Sequence, residues 1–371
     1  MSRDNQENGV GRRAFLKRAA GALVAALSPA WAGGRAGASA GKERAVTAQT
    51  KLPRWRGFNL LEMFTTRSDG QWQDNDFRWI AEWGFDFVRL PMCYTLWIED
   101  DDPLKLHEAG LVKVDRAVEL GRKHGVHVCL NFHRGPGYSV NREREEPFDL
   151  WKDQAALDAF CLHWAAFAER YRGIPSSQVS FNLINEPARV APEDHRRVVE
   201  ATVKAIRGID AERLIIADGR EWATVPCPEL AGLDIAQSCR GYQPMTLTHY
   251  EASWVDSAGW PEPVWPDQPS RGTMWNRATL EEHYRPWVEL AKSGVGVHCG
   301  EMGAYNKTPH GVVLAWMREV LEILTGSNIG YALWNFRGAF GVLDSGRGDV
   351  KYEDFHGHKL DRKMLELLRE F

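Results

Sequence analysis

Residues 180–187 read SFNLINEP, an apolar run that ends abruptly in Asn185, Glu186 and Pro187. With Val179 before it, the run has the continuity of a parallel strand covered on both faces. Pro187 has no backbone N–H to extend a ladder, so the strand's C-terminal tip is predicted here. A carboxylate at such a tip points into the mouth of a barrel, where βα loops build active sites.

Outward from this stretch the pattern repeats. The sequence predicts strands at Gly57–Leu61, Phe85–Pro91, His127–His133, Val179–Glu186, Arg213–Asp218, Asp234–Ser238, Val295–Glu301 and Gly330–Phe336. Amphipathic stretches lie between them. In 155–171, Leu157, Phe160, Cys161, Trp164, Phe167 and Tyr171 recur at three- and four-residue steps and form one apolar helical stripe. Weaker stripes occupy 111–124, 194–209, 279–292, 311–325 and 360–371. Eight strands interleaved with helices predict an α/β fold, a single (β/α)8 TIM barrel over residues 41–371. The longest irregular stretch, 242–276, carries Trp254, Trp260, Trp265 and Trp275 and is expected at the C-terminal face of the strands.

The seventh strand ends as the fourth does, in VGVHCGEMG at 295–303. Gly300 leaves room for close approach, and Glu301 closes the strand. Strands four and seven lie on nearly opposite sides of an eight-stranded barrel, so Glu186 and Glu301 are expected to face one another. Cleavage of a glycosidic bond needs such a pair, about 5–5.5 Å apart for retention and about 6.5–9.5 Å for inversion.

The remaining composition narrows the classes. In 371 residues, 46 basic and 50 acidic side chains leave a net charge of −4. No basic field exists to hold a polyphosphate backbone, which excludes nucleic acid as a partner. Tryptophan is over-used, with 16 copies. About half are expected in the core, and the others as flat platforms for the C–H faces of sugars. The six cysteines form no CxxC pair, and three fall in or beside predicted strands, so they are expected to be mostly reduced. HExxH and Walker motifs are absent, and His356-Gly357-His358 shows no acidic or cysteine partner at ligand spacing, so no metal is expected. GASAG at 37–41 matches a nucleophile elbow but has no strand before it.

The N-terminal 40 residues read as an address. Arg12-Arg13 precede Phe15-Leu16-Lys17 and a mild apolar stretch, Ala19–Leu27, too short to span a bilayer. Small-x-small sites follow at Ala30-Trp31-Ala32 and Ala38-Ser39-Ala40, giving cleavage after Ala32 or Ala40. The paired arginines look like a twin-arginine export signal, so the mature chain is expected to be periplasmic or secreted. The export machinery would be a partner only in transit. The mature barrel is expected to be monomeric, with no stable membrane insertion.

Six motifs in order resemble glycoside hydrolase family five, the cellulase family, from Trp55 to Leu368. WRGFNL resembles that family's first strand, and VRLP carries the Arg89 expected at the second. NFH supplies His133 after the third, and NEP the acid/base glutamate, Glu186, after the fourth. GEMG supplies the nucleophile, Glu301, after the seventh, and LWNF offers Trp334 after the eighth. The resemblance implies retention, no metal and no organic cofactor. It further implies that Arg89 keeps Glu301 charged, that Asn185 meets the sugar 2-hydroxyl and that Trp334 floors the sugar. One departure stands out. Where the family shows His-x-Tyr after the sixth strand, this chain has Arg240-Gly241-Tyr242, so Tyr242 is the expected partner of the nucleophile. His249 and Tyr250 are secondary candidates. Arg89, His133, Asn185, Tyr242, His249 and Trp334 make up the expected substrate-binding set, and three roles stay open for Arg240: a positive charge near Glu301, recognition of an acidic or substituted sugar, or a structural ion pair.

Two function classes follow, a retaining β-glycosidase and a carbohydrate-binding barrel that has lost turnover. The presence of both glutamates favours the enzyme. Within it, cellulase or β-glucanase, β-mannanase and exo-β-glucosidase activities are all open, because no residue separates the glycans.

Overall fold

The structure, a computed structural model, describes residues 52–140 and 145–371. The predicted export signal and the cleavage sites read from it lie outside the described residues. Eight parallel strands close a barrel: β1 (Arg56–Asn59), β2 (Phe87–Cys93), β3 (His127–Gly135), β4 (Val179–Asn182), β5 (Ile215–Asp218), β6 (Ala236–Gly241), β7 (Val297–Met302) and β8 (Gly330–Leu333). Each pairs with its sequence neighbour, and β1 pairs with β8 to complete the ring.

Around it lie α1 (Asp74–Glu82), α2 (Glu108–His124), α3 (Gln154–Arg170), α4 (Pro192–Arg207), α5 (Arg277–Lys292), α6 (His310–Gly326) and α7 (Arg362–Glu370). Six match predicted stripes; α1 is short and was not anticipated. The link from β5 to β6 contains only helical turns. The stripe of α3 buries Phe160, Trp164 and Phe167. Trp164 stacks on Phe132 of β3 at 4.0 Å, and its indole N–H donates to the Leu183 carbonyl at 3.2 Å. Among the described residues no helix is long and apolar enough to cross a membrane.

Alternation along the strands sorts the barrel interior into layers. At the N-terminal end Trp55 stacks on His127 and Phe87, a plug of aromatic surface. Cys129 and Ile216 follow one step up, in the same small apolar cluster. Two residues further along come Asn131, Asn182, Asp218 and Arg240, all buried. Period-two side chains thus carry the interior from apolar to charged within a few ångströms of rise.

Candidate active site

Two local devices aim the glutamates. Ladder pairing joins Cys299 to Cys239 and Glu301 to Arg240, so Gly300 is an extra residue in β7. Without this bulge, alternation would turn Glu301 away from the interior; with it, Glu301 joins Arg240 inside. Glycine fits because a Cβ at position 300 would come within 2.6 Å of Ser238 Oγ and 3.2 Å of Arg240 Nη1. Glu186 is placed differently. The ladder ends at Asn182, earlier than the sequence predicted, while the N–H groups of Leu183 and Asn185 still bond Ile216 and Phe132 carbonyls at 3.0 and 2.9 Å. Glu186 itself has φ +47°, a left-handed conformation that redirects the chain into Pro187. Asp218 Oδ2 accepts its N–H at 2.9 Å, and the Tyr138 hydroxyl donates to its carbonyl at 2.7 Å.

The side chains converge on one buried cluster. Arg89 Nη1 donates to Glu301 Oε1 at 2.6 Å and to Asn59 Oδ1 at 3.0 Å. Its Nε and Nη2 donate to Asn182 Oδ1 and Asn185 Oδ1, each at 2.9 Å. Tyr242 donates its hydroxyl to the other nucleophile-candidate oxygen, Glu301 Oε2, at 3.0 Å. Arg240 donates from Nε to Glu186 Oε1 at 2.8 Å and from Nη2 to Asn185 Oδ1 at 2.8 Å. The same Nη2 bonds Asp218 Oδ2 and lies 3.3 Å from Glu301 Oε1.

The surroundings act differently on each titratable group of the cluster. Burial, reinforced by the charge of Glu301, pushes Glu186 up to about 7 although Arg240 pulls the other way. Burial would likewise raise Asp218, but Arg240 and then Arg89 overrule it and hold that carboxyl below the usual range. Burial works against the charge on Arg240, yet Asp218, Glu301 and Glu186 together fix it as a cation. His133 is driven well below its ordinary value by burial and by the nearby arginines, so it is neutral.

The residues read from the sequence largely meet here. Arg89, Asn185, Glu186, Tyr242 and Glu301 share the hydrogen-bond network. His133 stacks on Trp334 with ring centres 5.8 Å apart, and the indole keeps a partly open face. His249 is one ring removed, edge-on to Tyr242 at 5.2 Å and held near 4 by burial. Tyr250 pairs with neighbouring Glu251 instead. Sequence reading missed Asp218, Asn182, Asn59 and Tyr138. Their signal was available for Asp218, which ends a predicted strand just as Glu186 and Glu301 do.

The 242–276 loop contributes a helical turn at Met245–Thr248 and a hairpin, Gln268–Ser270 with Thr273–Trp275. Its Trp254, half exposed, meets Tyr305 edge-on at 4.9 Å and lies 6.2 Å from Phe340, extending an aromatic wall out from Tyr242. Among the described residues, eight of 15 tryptophans are buried in the core. A cavity of about 260 Å³ adjoins the cluster, lined by Asn59, Glu62, Asp76, Asn335 and Arg337 among others. Burial pushes Glu62 in its wall up to about 7.

Two metal-like groupings have ion-pair explanations. His195, Cys227 and Glu229 bring ligand atoms within 4.8 Å of one another, but Arg220 Nε already donates to Glu229 Oε1 at 2.7 Å. His358 does have an acidic partner that spacing concealed: Asp344 Oδ2 lies 2.7 Å from its Nδ1, with Arg337 on the same atom at 2.9 Å. All six cysteines are unbridged.

A family model described as cellulase (glycosyl hydrolase family 5) matches residues 46–339. The chain belongs to that family. It is 27% identical to endoglucanase C of Acetivibrio thermocellus over 306 residues, 76% of this chain and 88% of that protein. Cellodextrinase A of Ruminococcus flavefaciens is 25% identical across 78% of this chain and 84% of its own. Among solved structures, one described as a glycoside hydrolase is 41% identical, with a TM-score of 0.82, covering 85% of this chain and 99% of that one. Cel5A of Thermotoga maritima, solved with mannotriose, is 25% identical with a TM-score of 0.70, covering 86% and 98%. The protein is therefore a glycoside hydrolase with cellulase-like kinship, and the class of barrel without turnover is set aside.

Proposed function

We propose that this enzyme is a retaining β-glycosidase in which Glu301 attacks the anomeric carbon and Glu186 serves first as acid, then as base. The observation that carries this reading is the opposite treatment of the two carboxyl groups. Glu301 has a cation on one oxygen and a hydroxyl donor on the other, contacts that orient the carboxylate as a nucleophile. Glu186 retains its proton to about 7, as a general acid near neutral pH must. A single guanidinium touching both carboxylates favours the shorter separation, the one used for retention.

Asn185 can be oriented from its partners. Two guanidinium groups donate to its Oδ1, so the remaining atom is the amide nitrogen, which is buried without a hydrogen-bond partner. That nitrogen is the donor available for a sugar hydroxyl. Trp334 supplies the floor, and His133 fixes its ring. The kinship with endoglucanases points to β-1,4-glucan or its oligosaccharides as substrate, and we infer export by the twin-arginine route from the N-terminal sequence. The test is hydrolysis of a β-glycan panel with anomer-resolved product analysis. The β-anomer should appear first, and Glu301→Gln should abolish turnover while sugar binding persists. Initial release of the α-anomer, or a fully active Glu301→Gln, would refute the assignment.

A further inference from the structure

Two buried carboxyl groups, Asp218 and Glu301, and the part-buried Glu186 face two buried guanidinium groups, Arg89 and Arg240. If every group is ionised the cluster carries one excess negative charge, and one proton balances it. Glu301 has Arg89 and Tyr242, and Asp218 lies between both arginines, so the proton belongs on Glu186.

We propose that Arg240, anchored by Asp218, is the counter-ion shared by the two catalytic glutamates. It would follow the negative charge from Glu301 to Glu186 and back without moving. This inference rests on the double-displacement reading above. In the first half-reaction a Glu301 oxygen bonds to the anomeric carbon as the bond to the leaving oxygen breaks. The leaving oxygen takes that electron pair and the Glu186 proton. Charge thus disappears from Glu301, now an ester, and appears on Glu186. In the second half-reaction water bonds to the anomeric carbon and gives a proton to Glu186, while the ester bond breaks and returns its pair to Glu301.

Throughout, the cluster stays neutral overall, which avoids a change of net charge in a poorly solvated interior. The geometry already suits both states. Arg240 Nε lies 2.8 Å from Glu186 Oε1, and Nη2 lies 3.3 Å from Glu301 Oε1. Asp218 cannot migrate, because it also accepts from the Glu186 N–H and from Asn182 Nδ2, each at 2.9 Å. Preorganised charge of this kind needs no rearrangement as the reaction proceeds.

The groups that face Glu186 define a pH test. They are Arg240 from β6, Asp218 from β5, Glu301 from β7, Tyr242 just beyond β6, and Arg89 from β2 acting through Asn185. His133 from β3 is neutral, and Tyr138 holds only the backbone carbonyl. Arg240→Gln alone would leave Asp218 short of a partner, so the informative variant is Arg240→Gln with Asp218→Asn, which removes a buried pair together. Folding is checked by circular dichroism and melting.

In that double variant the alkaline limb of kcat/KM should move upward, because Glu186 loses a cation in direct contact that favours its ionised form, and this outweighs the smaller, opposite effect of losing the Asp218 charge. Return of Glu186 to a base should slow as well. With an aryl glycoside bearing a good leaving group, kcat should then fall more than kcat/KM, and a burst of aryl release should appear. Arg240→Lys, which keeps the charge, should restore the limb toward its original position. A folded double variant that loses activity equally at every pH, with its limb unmoved, would overturn the proposal. Failure of the underlying reading shows separately, as persistent activity in Glu301→Gln.

Discussion

Glu186 is a residue on which folding and chemistry make opposite demands, and replacing it with glutamine measures the conflict. In an unfolded chain its carboxyl has an ordinary value of 4.5, whereas in the folded protein burial and then Glu301 hold it up to about 7. Between those values the native state keeps a proton that the unfolded state has released. Stability therefore falls as pH rises through the window, by about 1.4 kcal/mol per unit. Below the window both states are protonated and the group contributes nothing. Above it both are ionised and the loss is complete, about 3 kcal/mol at most. The side chain remains 15% exposed and Arg240 accompanies its charged form, so roughly 2 kcal/mol is the expected size. Glutamine cannot titrate but keeps an oxygen for Arg240 Nε. The assay is thermal melting of both proteins between about pH 5 and about pH 8. The decline in stability should be smaller in Glu186→Gln by roughly 2 kcal/mol, about 4 °C for a barrel of this size. Parallel pH dependences would refute the claim that burial holds this proton, whatever happens to activity.

Four further outcomes follow. Glu62→Gln should flatten the same pH dependence in the same direction, since burial and then Asp76 push that carboxyl up to about 7; an unchanged slope on melting would contradict its burial. Tyr242→Phe deletes a charge-assisted bond of 3.0 Å to Glu301 and should lower kcat/KM by roughly 10- to 100-fold, read by steady-state kinetics. Gly300→Ala drives a Cβ against Ser238 and Arg240, so it should cost about 1–3 kcal/mol in melting and depress turnover more than substrate binding. Trp254→Ala removes a half-exposed platform and should raise KM for longer oligosaccharides several-fold, about 1 kcal/mol, while leaving that for the shortest substrates unchanged.

The barrel was legible because its strands are apolar runs ending in polar tips, spaced by amphipathic helical stretches. The short α1 was not, since nine residues yield barely two turns of periodicity. Glu186 and Glu301 were legible as strand-tip carboxylates, but the reason Glu301 faces inward was not. Strict alternation would send it outward, and only pairing across to β6 shows the extra residue at Gly300. Asp218 went unread although it occupies the same kind of tip. Its importance comes from Arg240, 22 residues further along on the neighbouring strand β6, and charge pairing between strands leaves no local pattern.

The distribution of hydrogen bonds also indicates where a substrate can be gripped. Arg89 was expected to meet substrate, yet its Nε, Nη1 and Nη2 donate to Asn182, Asn59, Glu301 and Asn185, so its directional capacity is turned inward. Arg240 is engaged similarly by Glu186, Asp218, Asn185, Ser238 and the Cys239 carbonyl. Neither guanidinium can readily recognise a substituent on the sugar without abandoning a carboxylate in the interior, which is costly. This argues against the expectation that the arginine at position 240 selects acidic sugars. The amide nitrogen of Asn185 is different, because it is buried, correctly turned and unpaired. On the proposed reading, recognition of the ring at the cleavage point rests on the Asn185 amide, the face of Trp334 and the carboxylates themselves. Discrimination among glycans must come from farther out, from surfaces such as the Trp254 wall.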